Sequence, residues 1–115
     1  MTQTLKKLQD RISNFCKERE WDKFHSPKNL AISICIEAAE LLENFQWDKD
    51  KLEIEEKKKE SISQEIADVL IYSIRLCEVL DLDPIEITNN KIDKNGVKYP
   101  VNLSKGISEK YTNLK

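Results

Sequence analysis

Two segments of this chain, Pro27 to about Gln46 and about Ser61 to Leu80, are apolar almost all the way round a helical wheel. Each breaks that surface with one narrow polar strip. In the first, Ile32, Ile34, Cys35, Ile36, Ala38, Ala39, Leu41, Leu42 and Phe45 surround Ser33, Glu37, Glu40 and Asn44. In the second, Ile62, Ile66, Leu70, Ile71, Ile74 and Cys77 surround Ser61, Glu65, Asp68 and Tyr72. A helix apolar on nearly every side is a buried helix. A polar strip inside it must then face a cavity, a metal or a partner. So much apolar surface exceeds what one small bundle can cover, which predicts that the chain associates with copies of itself.

The remaining periodicities complete an all-α reading. Thr4 to about Glu20 recurs at helical spacing through Leu5, Leu8, Ile12, Phe15 and Cys16. Trp21 to His25 is an aromatic connector, and Ser26-Pro27 supplies an N-cap followed by proline at the first helical position. Residues 48–60 are almost wholly charged apart from Leu52 and Ile54, a solvated linker or short exposed helix. Asp83-Pro84-Ile85-Glu86 resembles a capping box and opens a fourth helix that should end near Asn95, before Gly96. With two glycines and three prolines in 115 residues there is little room for hairpins. The expectation is one domain, 1–115, shaped as a four-helix bundle, with an extended tail from about residue 97.

The polar strips carry the chemistry. Glu37-Ala-Ala-Glu40 and Glu65-Ile-Ala-Asp68 each place two acids three residues apart, separated by about 60° around a helix axis, so both carboxylates of a pair point one way. On facing helices the two pairs make a cluster of four hard oxygen donors. Four negative charges in a dry setting are untenable without cations. The donor type is that of a Mg²⁺ site, and Mg²⁺ in such a site goes with a phosphorylated substrate. An acidic i,i+3 pair alone is weak, since 13 glutamates in 115 residues produce one or two by chance and a solvated face explains them. Here both pairs lie in the two most apolar segments. Salt bridges are the competing explanation, yet the second helix has no basic residue after Lys28 and the core of the third has only Arg75.

Around these acids stand Trp21, Phe24, His25, Phe45, Trp47 and Tyr72. Core packing is the ordinary explanation for such aromatics. Tyr72, one turn beyond Asp68 on the same strip, is placed to stack on a base. Lys91, Asn95 and Lys98 recur on about one face of the fourth helix and its exit, where they serve phosphate oxygens or simply form a solvated basic edge. No glycine-rich nucleotide loop exists. A net charge of −2 and a pI near 5.5 argue against nonspecific nucleic-acid binding. No apolar run approaches a membrane span, and the amino terminus has no signal core. Cys16, Cys35 and Cys77 cannot all pair within one chain, so reduced, mostly buried thiols in a cytoplasmic protein are expected.

Taken together these motifs resemble the MazG-like, all-α nucleoside triphosphate pyrophosphohydrolases, and among them the dCTP pyrophosphatase branch. The likeness runs from about Leu8 to Leu114. It includes Trp21-Asp-Lys-Phe-His25-Ser-Pro-Lys-Asn-Leu30, Phe45-Gln46-Trp47, Asp68-Val-Leu-Ile-Tyr72, the stretch from Lys91 through Asn95, Lys98 and Tyr99 to Val101, Leu103-Ser104-Lys105-Gly106 and Lys110-Tyr111-Thr112. The resemblance implies hydrolysis of a nucleoside triphosphate between its α and β phosphates. It implies Glu37, Glu40, Glu65 and Asp68 as Mg²⁺ ligands, and Trp21 through His25 (with Phe24), Trp47 and Tyr72 around base and sugar. Lys91, Asn95, Lys98 and Tyr99 would contact phosphate. It also implies an oligomer, a homotetramer or dimer, whose sites borrow residues across subunits. Ile12 stands where that branch carries a histidine, and the tail stops sooner. A broad-specificity pyrophosphohydrolase, and a non-catalytic helical oligomer whose acidic strips bind partner lysines, are the alternatives.

Overall fold

The computed structural model describes residues 4–47, 54–108 and 112. Among them every regular element is helical: α1 (Leu5–Glu18), a 3-10 turn (Asp22–Phe24), α2 (Pro27–Glu43), α3 (Glu56–Val79), α4 (Pro84–Lys98) and α5 (Val101–Ser104). The chain divides into two compact units, Met1–Asp81 with α1 to α3 and Leu82–Lys115 with α4 and α5.

Side chains set the helix starts. Thr4 Oγ1 accepts from the Lys7 N–H (3.2 Å) at α1, and Ser26 Oγ from the Asn29 N–H (3.1 Å) at α2. Asp83 Oδ1 accepts from the N–H groups of Ile85 (2.9 Å) and Glu86 (3.3 Å) at α4. Each satisfies donors that a helix N-terminus leaves without partners.

Three boundaries differ from those expected. α3 starts at Glu56, within the charged run and ahead of Ser61. Its first turns lack apolar periodicity but hold good helix formers linked by Lys59–Glu56 (3.2 Å) and Gln64–Glu60 (3.0 Å) contacts at i,i+3 and i,i+4. α2 stops at Glu43, because Asn44 turns its side chain back onto the Leu41 carbonyl (3.3 Å). Finally, α4 does not end before Gly96. It runs on to Lys98 and halts at Tyr99, the residue before Pro100, where the helical backbone is disfavoured. The extended tail expected from residue 97 is corrected accordingly: Val97 and Lys98 are helical, and α5 follows. Lys110 and Tyr111 lie outside the described residues, as does Leu52.

α1 ends in a Schellman motif. Glu20 takes a left-handed backbone (φ 55°), its N–H bonds the Lys17 carbonyl (3.0 Å), and the Trp21 N–H bonds the Cys16 carbonyl (3.0 Å). The motif folds Trp21 back toward Cys16 at the entrance to the connector. A non-glycine residue in this conformation costs about 1–2 kcal/mol, partly offset because glycine has more unfolded-state entropy to lose. Glu20→Gly is therefore expected to stabilise the chain by about 0.5 kcal/mol, read as a rise in the urea midpoint at constant slope.

α2 and α3 pack most extensively, and α1 lies on α3. Ile12 and Cys16 of α1 and Ile74 of α3 form the core cluster, with Leu5 and Leu8 against it. α2 and α3 run antiparallel, and their register is held where Ser61 Oγ donates to Asn44 Oδ1 (2.9 Å) and Lys58 Nζ to the Asn44 carbonyl (3.2 Å). Two turns along from that lock, the acidic strips meet.

Candidate active site

From the Asn44–Ser61 contact, the antiparallel register sets Glu40 toward Glu65 and Glu37 toward Asp68. Carboxylate oxygens of Glu37, Glu65 and Asp68 all lie within 4.8 Å of one another, and the three residues are half-buried. Glu37 Oε2 and Glu65 Oε2 are shielded from solvent and accept no hydrogen bond. No ion pair between described residues involves Glu37, Glu40, Glu65 or Asp68. Such an arrangement is electrostatically costly. Glu37 is pushed up to about 7 by a carboxyl–carboxyl hydrogen bond with Glu40, by burial, and by the charges of Glu40, Asp68 and Glu65. Glu65 is raised by burial and then by Glu40, with Asp68 adding to it and a hydrogen bond with Glu37 opposing. Three converging carboxylates, two of which carry a buried oxygen without a donor, fit a divalent cation such as Mg²⁺. Glu40 sits outside the triplet, exposed to solvent but close enough to perturb both glutamates.

Next to the acids opens a cavity of about 480 Å³. Asp68 belongs to both, so acids and cavity are continuous. The walls are Leu8, Arg11, Ile12, Phe15 and Cys16 from α1, Trp21 and His25 from the connector, and Ile71, Tyr72 and Arg75 from α3. Phe15 and Trp21 meet edge to face, with centroids 5.7 Å apart, which stiffens the aromatic wall. The Tyr72 phenol is raised by burial, then by the charges of Glu37, Asp68 and Cys16, so it stays an O–H donor at neutral pH.

The expected site residues separate into three groups. Glu37, Glu65 and Asp68 come together with Glu40 beside them, and Trp21, His25 and Tyr72 line the cavity. Phe24 and Trp47 do not line it; Trp47 is 88 % exposed and Phe24 58 %. Lys91, Asn95, Lys98 and Tyr99 lie on or just after α4, in the other compact unit.

Three wall residues from α1, Leu8, Arg11 and Phe15, were not foreseen, because an amphipathic helix reads as packing. By sequence Arg75 stands out only as the one basic residue in the core of α3, a candidate salt-bridge partner for the acids. It is instead buried and donates to Asp22, to Glu78 Oε1 (2.8 Å) and, through Nε, to Nδ1 of His25 (3.1 Å). The signal was present: a lone arginine in a greasy helix must have found partners. Of the three cysteines, Cys16 is buried with its pKa raised mainly by burial, Cys77 is half-buried, and Cys35, against expectation, is exposed.

The MazG-like family pattern matches residues 32–114, most of the chain. The chain belongs to the MazG-like family. dCTP pyrophosphatase 1 of Rattus norvegicus is 36% identical over 115 aligned positions, covering 96% of this chain and 68% of the rat protein. The Homo sapiens protein of that name is 33% identical over the same shares. Among solved structures, a pyrophosphatase from Archaeoglobus fulgidus matches with a TM-score of 0.80 and 46% identity, covering 87% of this chain and 95% of that one. This MazG-like chain thus has an all-helical fold shared with a pyrophosphatase. No helix of its described residues is long and apolar enough to cross a membrane.

Proposed function

We propose that this chain hydrolyses nucleoside triphosphates between the α and β phosphates, giving monophosphate and pyrophosphate, with Mg²⁺ as cofactor and a dCTP-like nucleotide as preferred substrate. It is a nucleoside triphosphate pyrophosphohydrolase of the MazG-like family, and its role is nucleotide-pool house-cleaning in the cytoplasm. The observation that carries this is the continuity of the Glu37, Glu65 and Asp68 triplet with an aromatic-walled cavity through Asp68. A base between Trp21 and Tyr72 places its phosphates on the acidic side, where polyanionic groups are tolerated only beside cations.

Glu37, Glu65 and Asp68 would hold Mg²⁺, whose charge stabilises the phosphoryl oxygens and makes a bound water more acidic. Glu40, exposed and outside the triplet, accepts the proton of the water that attacks the α-phosphorus. Tyr72 keeps its proton and donates at the junction of acids and cavity. The resemblance assigns Lys91, Asn95, Lys98 and Tyr99 to phosphate, the two lysines supplying positive charge and Asn95 and Tyr99 hydrogen bonds. Phe24 and Trp47 act at the base once a second subunit is present, which accords with their exposure in the single chain. The assembly is a homotetramer or a dimer.

The test is a hydrolysis panel over ribo- and deoxynucleoside triphosphates with and without Mg²⁺, resolving monophosphate plus pyrophosphate from diphosphate plus phosphate. dCTP should give monophosphate well ahead of the rest, and only with the metal. A second reading, a broad-specificity enzyme, is favoured by one wall residue. Ile12, only 7 % exposed, lines the cavity and offers the base no hydrogen bond. Comparable monophosphate release from several bases would select it. Turnover of none would leave either a modified nucleotide outside the panel or the non-catalytic oligomer.

A further inference from the structure

Arg75 makes three different contacts from one buried guanidinium. Nη1 donates to Glu78 Oε1 (2.8 Å), Nη2 pairs with Asp22 Oδ1, and Nε donates to His25 Nδ1 (3.1 Å). Its side chain is only 7% exposed, whereas those of Asp22 and Glu78 are 47% and 35% exposed. An arginine inside a helix as apolar as α3 gains little stability from such pairs, because desolvation offsets most of the attraction. What the fork does secure is geometry: it ties the connector to α3 along one edge of the imidazole.

We propose that Arg75 is a positioning residue that holds His25 as the neutral Nε2–H tautomer and thereby makes it a hydrogen-bond donor to an acceptor atom, a ring carbonyl or bare ring nitrogen, of the base in the cavity. The chemistry leaves one assignment. A guanidinium has five N–H donors and no acceptor, and it does not lose its proton. Nδ1 must therefore present its lone pair to Arg75, and the ring proton of the neutral imidazole resides on Nε2. Charging the ring would set one N–H against another. The titratable groups that line the same cavity are Arg11 and Cys16 from α1 and Asp68 and Tyr72 from α3, while Asp22 of the connector and Glu78 of α3 hold the guanidinium. The net result is a His25 pKa below 6.5, lowered by burial and then by Arg75, with Asp22 opposing. His25 lines the cavity with one nitrogen already occupied, so its remaining polar atom, the Nε2–H, is the one left to donate to a ligand. A donor there discriminates among bases by what they present, as a site built to bond a polar atom rejects analogues lacking it.

The proposal rests on the nucleotide reading for its ligand but not for its tautomer, and one experiment separates the two. His25 is the single histidine of the chain, so long-range ¹H–¹⁵N spectra contain one imidazole. In the nucleotide-free wild type the expected pattern is a bare Nδ1 and a protonated Nε2, with a midpoint below 6.5. Arg75→Met should release the ring into a tautomer mixture titrating nearer 6.5, and Arg75→Lys, which keeps charge but loses the Nε–H, should do the same. Both should raise KM for the preferred nucleotide about tenfold while leaving kcat within a few-fold, the size of one lost hydrogen bond in a desolvated site. A wild-type imidazole protonated on Nδ1, or charged at neutral pH, overturns the tautomer assignment even if neither variant folds. A correct tautomer whose Nε2–H signal does not move on adding dCTP to a chain that hydrolyses it overturns the donor role. Should the chain hydrolyse nothing, the spectra still decide the tautomer, and an unmoved signal with every nucleotide of the panel rejects the donor role.

Discussion

Asp68→Asn and Glu40→Gln should each yield a folded chain whose pyrophosphohydrolysis has fallen by about 10²–10⁴-fold, the range spanned by losing a positioned base or one charge-stabilising group. The two losses should differ in kind. Asp68 is a member of the carboxylate triplet and also lines the cavity. Its amide keeps the shape but withdraws a charge the cation needs, so the melting-temperature rise on adding Mg²⁺ should vanish together with turnover. Glu40 is outside the triplet. Its amide should preserve the Mg²⁺-induced rise while abolishing most turnover, because only proton acceptance is lost. Helicity should be unchanged in both, since neither side chain takes part in the core cluster or in the Asn44–Ser61 lock. Glu37→Gln adds a check without substrate. Its carboxyl is raised to about 7 by Glu40, by burial and by neighbouring acids, so the amide should melt higher than wild type without metal and lose its advantage with it. Near-normal rates in Asp68→Asn would sink the metal-cluster reading outright.

The acids were legible because two independent periodicities coincide. The i,i+3 spacing aims each pair, and the apolar surround forces the strips inward, so Glu37, Glu40, Glu65 and Asp68 could be placed together before any register was known, although only the register shows that Glu40 lies beside the other three. Ser26-Pro27 and Asp83-Pro84 were legible for local reasons, since capping depends on a few adjacent atoms. What stayed hidden is long-range or cumulative. Neither Asn44 nor Ser61 announces that it sets the α2–α3 register. The first turns of α3 form through ion pairs and propensity without an apolar stripe, and a single glycine at 96 was too weak a stop for a helix with no need of a left-handed turn there. Arg75 escaped because its partners Asp22 and His25 are some fifty residues away, and nothing local predicts which carboxylate a buried arginine finds. The resemblance groups Phe24 and Trp47 with Trp21, whereas of the three only Trp21 is folded into the cavity of the single chain by the turn at Glu20.

That a single chain leaves its apolar helices uncovered leads to the last expected result: the protein melts at higher temperature as its concentration rises, and sediments as an oligomer. Both α2 and α3 have the apolar surround of buried helices, yet Ile32, Ile36, Leu42, Ile66 and Leu70 are 43–67% exposed. Only Ile12, Cys16, Leu30, Ile74 and Arg75 are buried among the described residues. A core that small supports little stability by itself, since each fully buried aliphatic side chain contributes about 1.5–3 kcal/mol against the ordering entropy of the chain. Association that buries the α2 and α3 faces would supply the remainder, and mass action would then tie folding to concentration. Ile32→Glu and Leu42→Glu place a charge on α2 away from the core cluster. In a monomer each would be nearly silent, worth less than about 0.5 kcal/mol at an exposed site. In an apolar interface each buries an unpaired carboxylate at a cost of several kcal/mol, enough to dissociate the assembly. A wild-type chain that sediments as a monomer over a wide dilution series, with a constant melting temperature and both variants neutral, would refute self-association. Dissociation accompanied by loss of hydrolysis would show that subunits complete one another's sites, because neither Ile32 nor Leu42 lines the cavity.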